Sequence, residues 1–433
     1  MQLTANIYIW GEFVGAVAWD ESTQVASFEY DPDFISKKWD LSPVKMPLNH
    51  SRRIFSFPEL GRLDAFKGLP GLLADILPDR YGNRLINAWL AQQGRPENSY
   101  NPVELLCFIG TRGMGALEFE PVLFKSNKRA FNIELGSLVE VTQKMLNIRE
   151  RFEADLVENE EAAMREILRI GTSAGGARPK AIIAYNEKTG QVKSGQTKAP
   201  RGFTHWLIKL DGVSDDQFGK TLGYGRVEMA YYNMATVCGI EMMESRLHEE
   251  NGRAHFMTRR FDREGNDRKH HIQTLCALQH YDYNDIFSYS YEQLFQTMRL
   301  LRLPYPQAEQ LYRRMVFNVL ARNCDDHTKN FAFRLKKDQE WELTPAYDVC
   351  HAYRPGSEWV SQHALSINGK RTGIQRDDLL SVAKAMNIKK ADSVVKEIDM
   401  TVSKWPEFAD EVNVNSELRD KINETLISYI ERG

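Results

Sequence analysis

Cysteine is scarce in this chain: its five residues, Cys107, Cys238, Cys276, Cys324 and Cys350, are odd in number and widely spread. No two of them form a C-x-x-C pair, which argues for free thiols in a reducing compartment and against a disulfide framework or a zinc site. Long apolar runs are missing too. Nothing approaches the roughly eighteen apolar residues of a membrane span, and Met1–Asn6 does not open a basic-then-apolar signal segment, so a cytoplasmic location without membrane contact is expected. Charge of one sign is absent: a net charge of -3 and a pI near 6.4 give no global reason to expect a nucleic-acid or lipid partner, although a local basic face stays open. Internal repeats and low-complexity tracts are also lacking.

What remains is an ordinary globular composition, 42% hydrophobic and 27% charged over 433 residues, long enough for two or three domains. Residues 1–60 alternate apolar and polar side chains, as in Ala5-Asn6-Ile7-Tyr8-Ile9-Trp10, the period of half-buried strands. A helical pattern from Tyr81 to Gln93 follows, and Gly113–Pro121 returns to strand, so 1–125 reads as one small mixed α/β unit. Residues 133–170 are charged and helix-forming, and the acidic run from Glu150 to Glu161 reads as a solvated helix face. Strands are expected at Lys180–Tyr185 and Thr204–Leu210. After Gly265 the chain reads as helical, apart from a hairpin of Phe331–Leu335 with Trp341–Leu343.

The most informative stretch is Asn323-Cys324-Asp325-Asp326-His327-Thr328-Lys329-Asn330, followed beyond the hairpin by Asp348 in Tyr347-Asp348-Val349. An Asp, an Asn five positions on and a later Asp form the layout in which one carboxylate receives a hydroxyl proton. The other two side chains hold magnesium ions that bridge ATP phosphates. Carboxylates and amides also crowd many surface loops, so context must decide. Upstream, Gly171-Thr172-Ser173-Ala174-Gly175-Gly176-Ala177-Arg178-Pro179-Lys180 is a Gly-rich loop running into a strand. Its small residues allow backbone N–H groups close to phosphate oxygens, with Arg178 and Lys180 adding positive charge. It lacks the Gly-Lys-Ser/Thr ending and following helix of a Walker A loop, and a plain turn is the competing reading. Lys209 interrupts the apolar strand Trp206–Leu210, which is costly without a negative partner, and Glu228 at the start of a helical stretch fits that partner. An edge-strand lysine with its head in water is the bland alternative. Phe256–Arg263 reads as a strand leaving into a turn, where a kinase hinge would lie. His270, His271, His327 and Cys324 match no metal-binding spacing, and His327 is expected to hydrogen-bond the backbone of its own loop. The order of these elements is that of a kinase.

Taken together, these motifs closely resemble the HipA family of bacterial serine/threonine protein kinases, toxins of type II toxin–antitoxin pairs. The likeness covers almost the whole chain and includes Leu77-Pro78-Asp79-Arg80-Tyr81-Gly82 and Arg260-Phe261-Asp262-Arg263. It implies an α+β, protein-kinase-like bilobal fold: an elaborated N-terminal α/β subdomain (1–125), a kinase N-lobe (126–258) and an all-helical C-lobe (259–433). It implies Asp325 as catalytic base and Asn330 and Asp348 as Mg²⁺ ligands. Lys209 would bind ATP phosphates, Gly175, Gly176, Ala177, Arg178, Pro179 and Lys180 would cover them, and Arg259, Arg260 and Phe261 would form the adenine-side hinge. His327, Lys329 and Tyr347 complete the implied nucleotide contacts, Glu228 would be the structural ion-pair partner, and Ser173 matches the family's autophosphorylated serine. The implied partners are a dimeric HipB-like helix-turn-helix antitoxin, operator DNA bound with it, and a protein substrate such as an aminoacyl-tRNA synthetase. Two departures stand out: Arg178-Pro179 where some relatives carry an acidic residue, and Arg259 where some have glutamate. A small-molecule phosphotransferase of the aminoglycoside-kinase type and a non-catalytic ATP-binding corepressor are the alternatives.

Overall fold

The computed structural model describes residues 3–49, 53–123, 132–147, 168, 171, 178–195, 198–213, 223–265 and 267–429. The alternating N-terminal pattern forms strands β1 (Thr4–Ile9), β2 (Glu12–Asp20), β3 (Val25–Tyr30) and β4 (Ile54–Ser56). With β5 (Leu117–Glu120) they make an antiparallel sheet in the order β4-β3-β2-β1-β5. Ala5, Ile7 and Ile9 of β1 are buried while Thr4 and Asn6 face out, as a period of two requires. Two short helices, α1 (Pro32–Ile35) and α2 (Gly71–Ala74), precede α3 (Arg80–Gln92) and the fully buried α4 (Pro102–Ile109). Asp79 caps α3 by accepting from the Gly82 N–H, and Asn101 with Glu104 forms a capping box on α4.

After α5 (Leu135–Asn147), a second antiparallel sheet runs β7-β6-β8-β10-β9. Its strands are β6 (Lys180–Tyr185), β7 (Val192–Ser194), β8 (Thr204–Lys209), β9 (Ser245–Glu250) and β10 (Arg253–Arg259). Helix α6 (Tyr224–Val237) lies on this sheet. Gly225 permits the contact, because a Cβ there would sit 2.0 Å from the Ala254 carbonyl oxygen. One turn later Glu228 faces the sheet, and Tyr231 packs its ring 5.3 Å from Trp405 and 6.1 Å from Phe317. The helix is thereby fixed between sheet and helical region.

The remainder holds a two-residue hairpin, β11 (Arg263–Glu264) with β12 (Arg268–Lys269), and a three-stranded sheet. That sheet contains β13 (His271–Thr274), β14 (Ala332–Leu335) and β15 (Trp341–Leu343). Around them lie α7 (Leu275–Gln279), α8 (Tyr291–Leu300), α9 (Tyr305–Leu320), α10 (Arg376–Met386), α11 (Ala391–Val402), α12 (Trp405–Glu411) and α13 (Ser416–Asn423). The hairpin expected from the sequence is present, but β13 extends it and the region is not wholly helical. Its sequence, His-Ile-Gln-Thr, hides the strand because the inward residues are polar. His271 and Gln273 are buried, and His271 Nε2 lies 2.9 Å from the Leu41 carbonyl oxygen. Among the described residues no helix is long and apolar enough to cross a membrane.

Where β10 ends, Asp262 is fully buried and anchors the exit. Arg260 donates to both its oxygens at 2.8 and 2.6 Å, and Arg263 and the Gly115 N–H each donate at 2.7 Å. Burial opposes its ionisation, but the two guanidinium groups outweigh that and hold the carboxyl far below its usual range. The stability it contributes is present above roughly pH 4, the unfolded value, and is lost as pH falls toward the depressed folded one. Asp262→Ala would strand two buried guanidinium groups, so a loss of about 3–5 kcal/mol is expected in urea denaturation. A loss under about 1 kcal/mol would show that the cluster is dispensable.

Candidate functional site

Lys209, at the end of β8, lies directly across from Lys180 of β6 and Phe256 of β10. Cross-strand partners point to the same face, so two lysine head groups are brought together, which is unfavourable unless anions intervene. They do. Lys209 Nζ donates to Glu228 Oε1 at 2.5 Å and also to Asp348 Oδ1. Burial disfavours charge on Lys209, yet Asp348 and Glu228 more than compensate and raise its pKa. Burial likewise opposes the Asp348 carboxylate, but Lys209 and Lys180 hold its pKa well below the ordinary range. Glu228 is shifted up, by burial first and then by the Asp348 charge, against the pull of Lys209. A double-mutant cycle with Lys209→Ala and Glu228→Ala, read as nucleotide affinity, is expected to show coupling of roughly 0.5–3 kcal/mol. Zero coupling would mean the contact carries no binding energy.

Asp348 has φ +52°, a left-handed conformation that Asp tolerates better than most residues. It follows the β14–β15 hairpin, and opposite it lies the loop 323–330, ending in a short 3₁₀ turn at Thr328–Asn330. Asn330 Nδ2 donates to the Asp325 carbonyl oxygen at 2.6 Å, which leaves the amide oxygen as the atom able to meet a cation. The Asp325 side chain is 51% exposed, with His327 Nε2 3.7 Å away. The adjacent Asp326 is buried and points the other way. It accepts from Tyr291 Oη at 2.9 Å, His363 Nδ1 at 2.8 Å and the Ala364 N–H at 2.8 Å. Burial alone would neutralise His363, but Asp326 raises its pKa to about 10.

The remaining sequence candidates separate into three groups. Ser173, Gly175, Gly176 and Ala177 lie outside the described residues, as does the acidic run 150–161. Near the site, Tyr347 donates to the Lys329 carbonyl oxygen at 2.8 Å, and the Phe261 ring centroid is 5.5 Å from that of Tyr347. The Arg178 guanidinium stands 4.6 Å from the Tyr224 ring, and the Pro179 carbonyl accepts from the Leu210 N–H. The third group departs from expectation. The Arg260 side chain belongs to the buried Asp262 cluster and does not face the nucleotide side, because a carboxylate two residues away captures the guanidinium. The N–H groups of Arg259 and Arg260 are already bonded to Glu244 and His205 carbonyls. The His327 side chain makes no hydrogen bond to the loop backbone among the described residues: its Nδ1 is buried without a partner and its ring lies 5.5 Å from Tyr283, while its own carbonyl accepts from the Asn330 N–H at 2.9 Å.

Sequence reasoning gave no role to Asp75, Asp79, Asp326 or His363. Lys329 stands 5.2 Å from the Tyr283 ring; burial opposes its charge, but Tyr283, Asp75 and Asp79 raise its pKa. Burial lifts Asp79 to about 6 against the pull of Lys180 and Lys329. The N-terminal unit thus places carboxylates beside the lysines of the site. Asp79 falls within the quoted Leu77–Gly82 motif, but no spacing links it to residues 180 or 329. A larger open cleft, lined by Asn132–Gly136, Gly190–Val192, His248, Glu250 and Asn251, contains none of the candidate residues.

One carboxylate and one amide oxygen are hard donors, suited to Mg²⁺ with phosphate and water filling its other positions. No cluster of three or more His, Cys, Asp or Glu able to hold a metal occurs among the described residues. The arrangement therefore offers a cationic seat for phosphates, a metal-competent carboxylate and amide, and an exposed carboxylate beside them.

Comparison with known proteins gives the chain a family. The HipA-like C-terminal domain matches residues 172–405 and the HipA N-terminal domain matches residues 5–120. No match was found among curated proteins. Among solved structures, the chain is similar to one of the Shewanella oneidensis MR-1 toxin–antitoxin system HipA, HipB and its operator DNA complex. The TM-score is 0.67 at 18% identity, covering 97% of this chain and 94% of that one. A Helicobacter pylori proinflammatory kinase, CtkA, matches 58% of this chain and 90% of its own at 13% identity, with a TM-score of 0.34. The chain belongs to the HipA family.

Proposed function

We propose that this protein is an ATP- and Mg²⁺-dependent serine/threonine protein kinase, the toxin of a type II toxin–antitoxin pair. The observation that carries the reading is the Glu228–Lys209–Asp348 ion-pair chain set against a loop whose Asp325 is exposed and whose Asn330 is braced. In this reading 126–258 acts as the N-lobe and 259–433 as the C-lobe, with 1–125 appended. Lys209 and Lys180 attract the phosphates, and Glu228 keeps the Lys209 head group in place. Phe261 and Tyr347 flank the adenine side, whereas the Arg259 and Arg260 N–H groups and the Phe261 carbonyl are already bonded within the protein, so a hinge there would rest on the remaining backbone groups. Asp325 takes the proton from the acceptor hydroxyl as its oxygen attacks the γ-phosphorus and the β–γ bridging bond breaks. Asn330 and Asp348 would hold Mg²⁺, which when bound offsets charge on the phosphate oxygens.

The acceptor is a protein such as an aminoacyl-tRNA synthetase, and autophosphorylation at Ser173 is self-limiting, because negative charge added to the Gly-rich segment of the sequence would repel nucleotide phosphates. A HipB-like antitoxin dimer binds the protein and represses their operon with it; the similar Shewanella protein was crystallised with HipB and operator DNA. Incubation with γ-labelled ATP and Mg²⁺, with and without cell extract, tests the activity. Label on the protein itself or on an extract protein is expected. Label confined to a metabolite, or no label, would end the protein-kinase reading.

A further inference from the structure

Asp325 sits between two points at which the following segment is fastened to its loop. On one side Asn323 bridges Ala352: the Cys324 N–H donates to the Ala352 carbonyl at 3.0 Å, and the Ala352 N–H to that of Arg322 at 3.0 Å. On the other side Asp326 accepts from His363 Nδ1 and the Ala364 N–H, both at 2.8 Å. The chain between these feet, 353–362, leaves and returns on either side of the exposed carboxylate. It is closed on itself by the Arg354 N–H to the Val360 carbonyl, and its Trp359 ring lies 5.5 Å from the Arg80 guanidinium of the N-terminal unit.

The second foot is the better built. Asp326 and His363 side chains are 0% and 1% exposed. Tyr291 also donates to Asp326, and Asn318 donates to Tyr291 and accepts from Asn323, so one buried network holds both ends of Asn323–Asp326. Beyond Ala364, Ser366 pairs with Ser290, and Arg371 donates to the carbonyls of Ala364 and Tyr289. A buried, hydrogen-bonded ion pair is costly to assemble and contributes little net stability over an apolar substitute, so geometry is its better-attested product. A merely stabilising contact would not need a charged pair one residue from the exposed carboxylate.

We infer that Asp326 and His363 are a positioning pair, which fixes loop 353–362 around Asp325 as the wall against which the phosphoryl acceptor is held. The inference rests on the kinase reading for its catalytic consequence, but not for its structural one. No modification of the loop is needed to order it, because the pair is internal to the fold.

The test uses the full chain with His363→Asn, and Tyr291→Phe as a milder variant that removes one donor to Asp326. Hydrogen exchange is expected to show lost protection at Ala364 and Ser366 and faster exchange across 353–362, while Ile182 and Leu207 in the second sheet keep theirs. Turnover per folded molecule, measured well below the melting temperature, is expected to fall at least about tenfold in His363→Asn and less in Tyr291→Phe. The ATP dissociation constant should stay within about twofold, since the lysine seat is untouched. Unchanged exchange at 353–366, unchanged turnover despite a loosened loop, or a parallel loss of ATP affinity would each overturn the pair's role. Wild-type protein that transfers no phosphate would sink the kinase reading instead, and the exchange measurement would still decide whether the pair fixes the loop.

Discussion

Asp325→Asn is expected to lower phosphoryl transfer on the order of 10²–10⁴-fold, the usual cost of losing a general base. Folding and nucleotide affinity should be nearly unchanged. Three features separate these effects. The side chain is half exposed, so deleting its charge leaves no buried partner behind. The contact that braces the loop runs from Asn330 to the Asp325 backbone carbonyl, which the substitution does not alter. The groups that would attract nucleotide phosphates lie on the sheet, in register across β6 and β8. An amide of the same shape therefore removes the proton acceptor and little else. Asp326→Asn is the informative neighbour: it weakens a buried network with three donors, so it should cost stability as well as turnover. Single-turnover rates with labelled ATP, beside calorimetric ATP binding and thermal melts, distinguish the two positions. Wild-type turnover in Asp325→Asn would remove this carboxylate from the mechanism.

Much of this arrangement is legible in the sequence because local rules write it there. The period-two stretches of residues 1–60 become β1–β4, and Lys209 with Glu228 meet as the cost of burying an unpaired lysine requires. The spacing of Asp325, Asn330 and Asp348 places them on a loop and beyond a hairpin. What the sequence conceals is whatever depends on distant parts of the chain. The strand His271–Thr274 has no apolar alternation: its inward residues His271 and Gln273 are polar, and it is held by its register with β14 and by His271 Nε2 against the Leu41 carbonyl. Arg260 sits at the expected exit of β10 but turns into a cluster completed by Gly115, about 150 residues earlier. Asp325 and Asp326 are chemically identical neighbours, and only the fold separates the exposed one from the buried one. Asp79 and Lys329 come within electrostatic reach of each other because the N-terminal unit packs beside the loop, which no periodicity records.

Asp348→Asn is expected to abolish the magnesium-dependent part of nucleotide binding and to stop turnover. Asparagine is the better probe than alanine. The residue has φ +52°, where Asn is tolerated and Ala pays roughly 1–2 kcal/mol of strain, so the amide isolates the charge. In the intact protein Asp348 shares Lys209 with Glu228, and the Lys209 and Lys180 charges keep it ionised against burial. An ionised, one-third-exposed carboxylate beside an amide oxygen can hold a hard cation; a neutral amide there keeps a donor atom but loses the charge. Even indirect supports of metal ligands typically cost 10–100-fold in metal affinity when removed, so losing a ligand charge should cost at least about that. Lys209 retains Glu228 as partner in the variant, so metal-free nucleotide affinity should hold or rise, because one competitor for the ammonium has weakened. Calorimetric nucleotide titrations with and without Mg²⁺ read both effects. A magnesium increment that survives in Asp348→Asn would show that this carboxylate is not a ligand. A simultaneous fall in metal-free affinity would assign it instead to orienting Lys209.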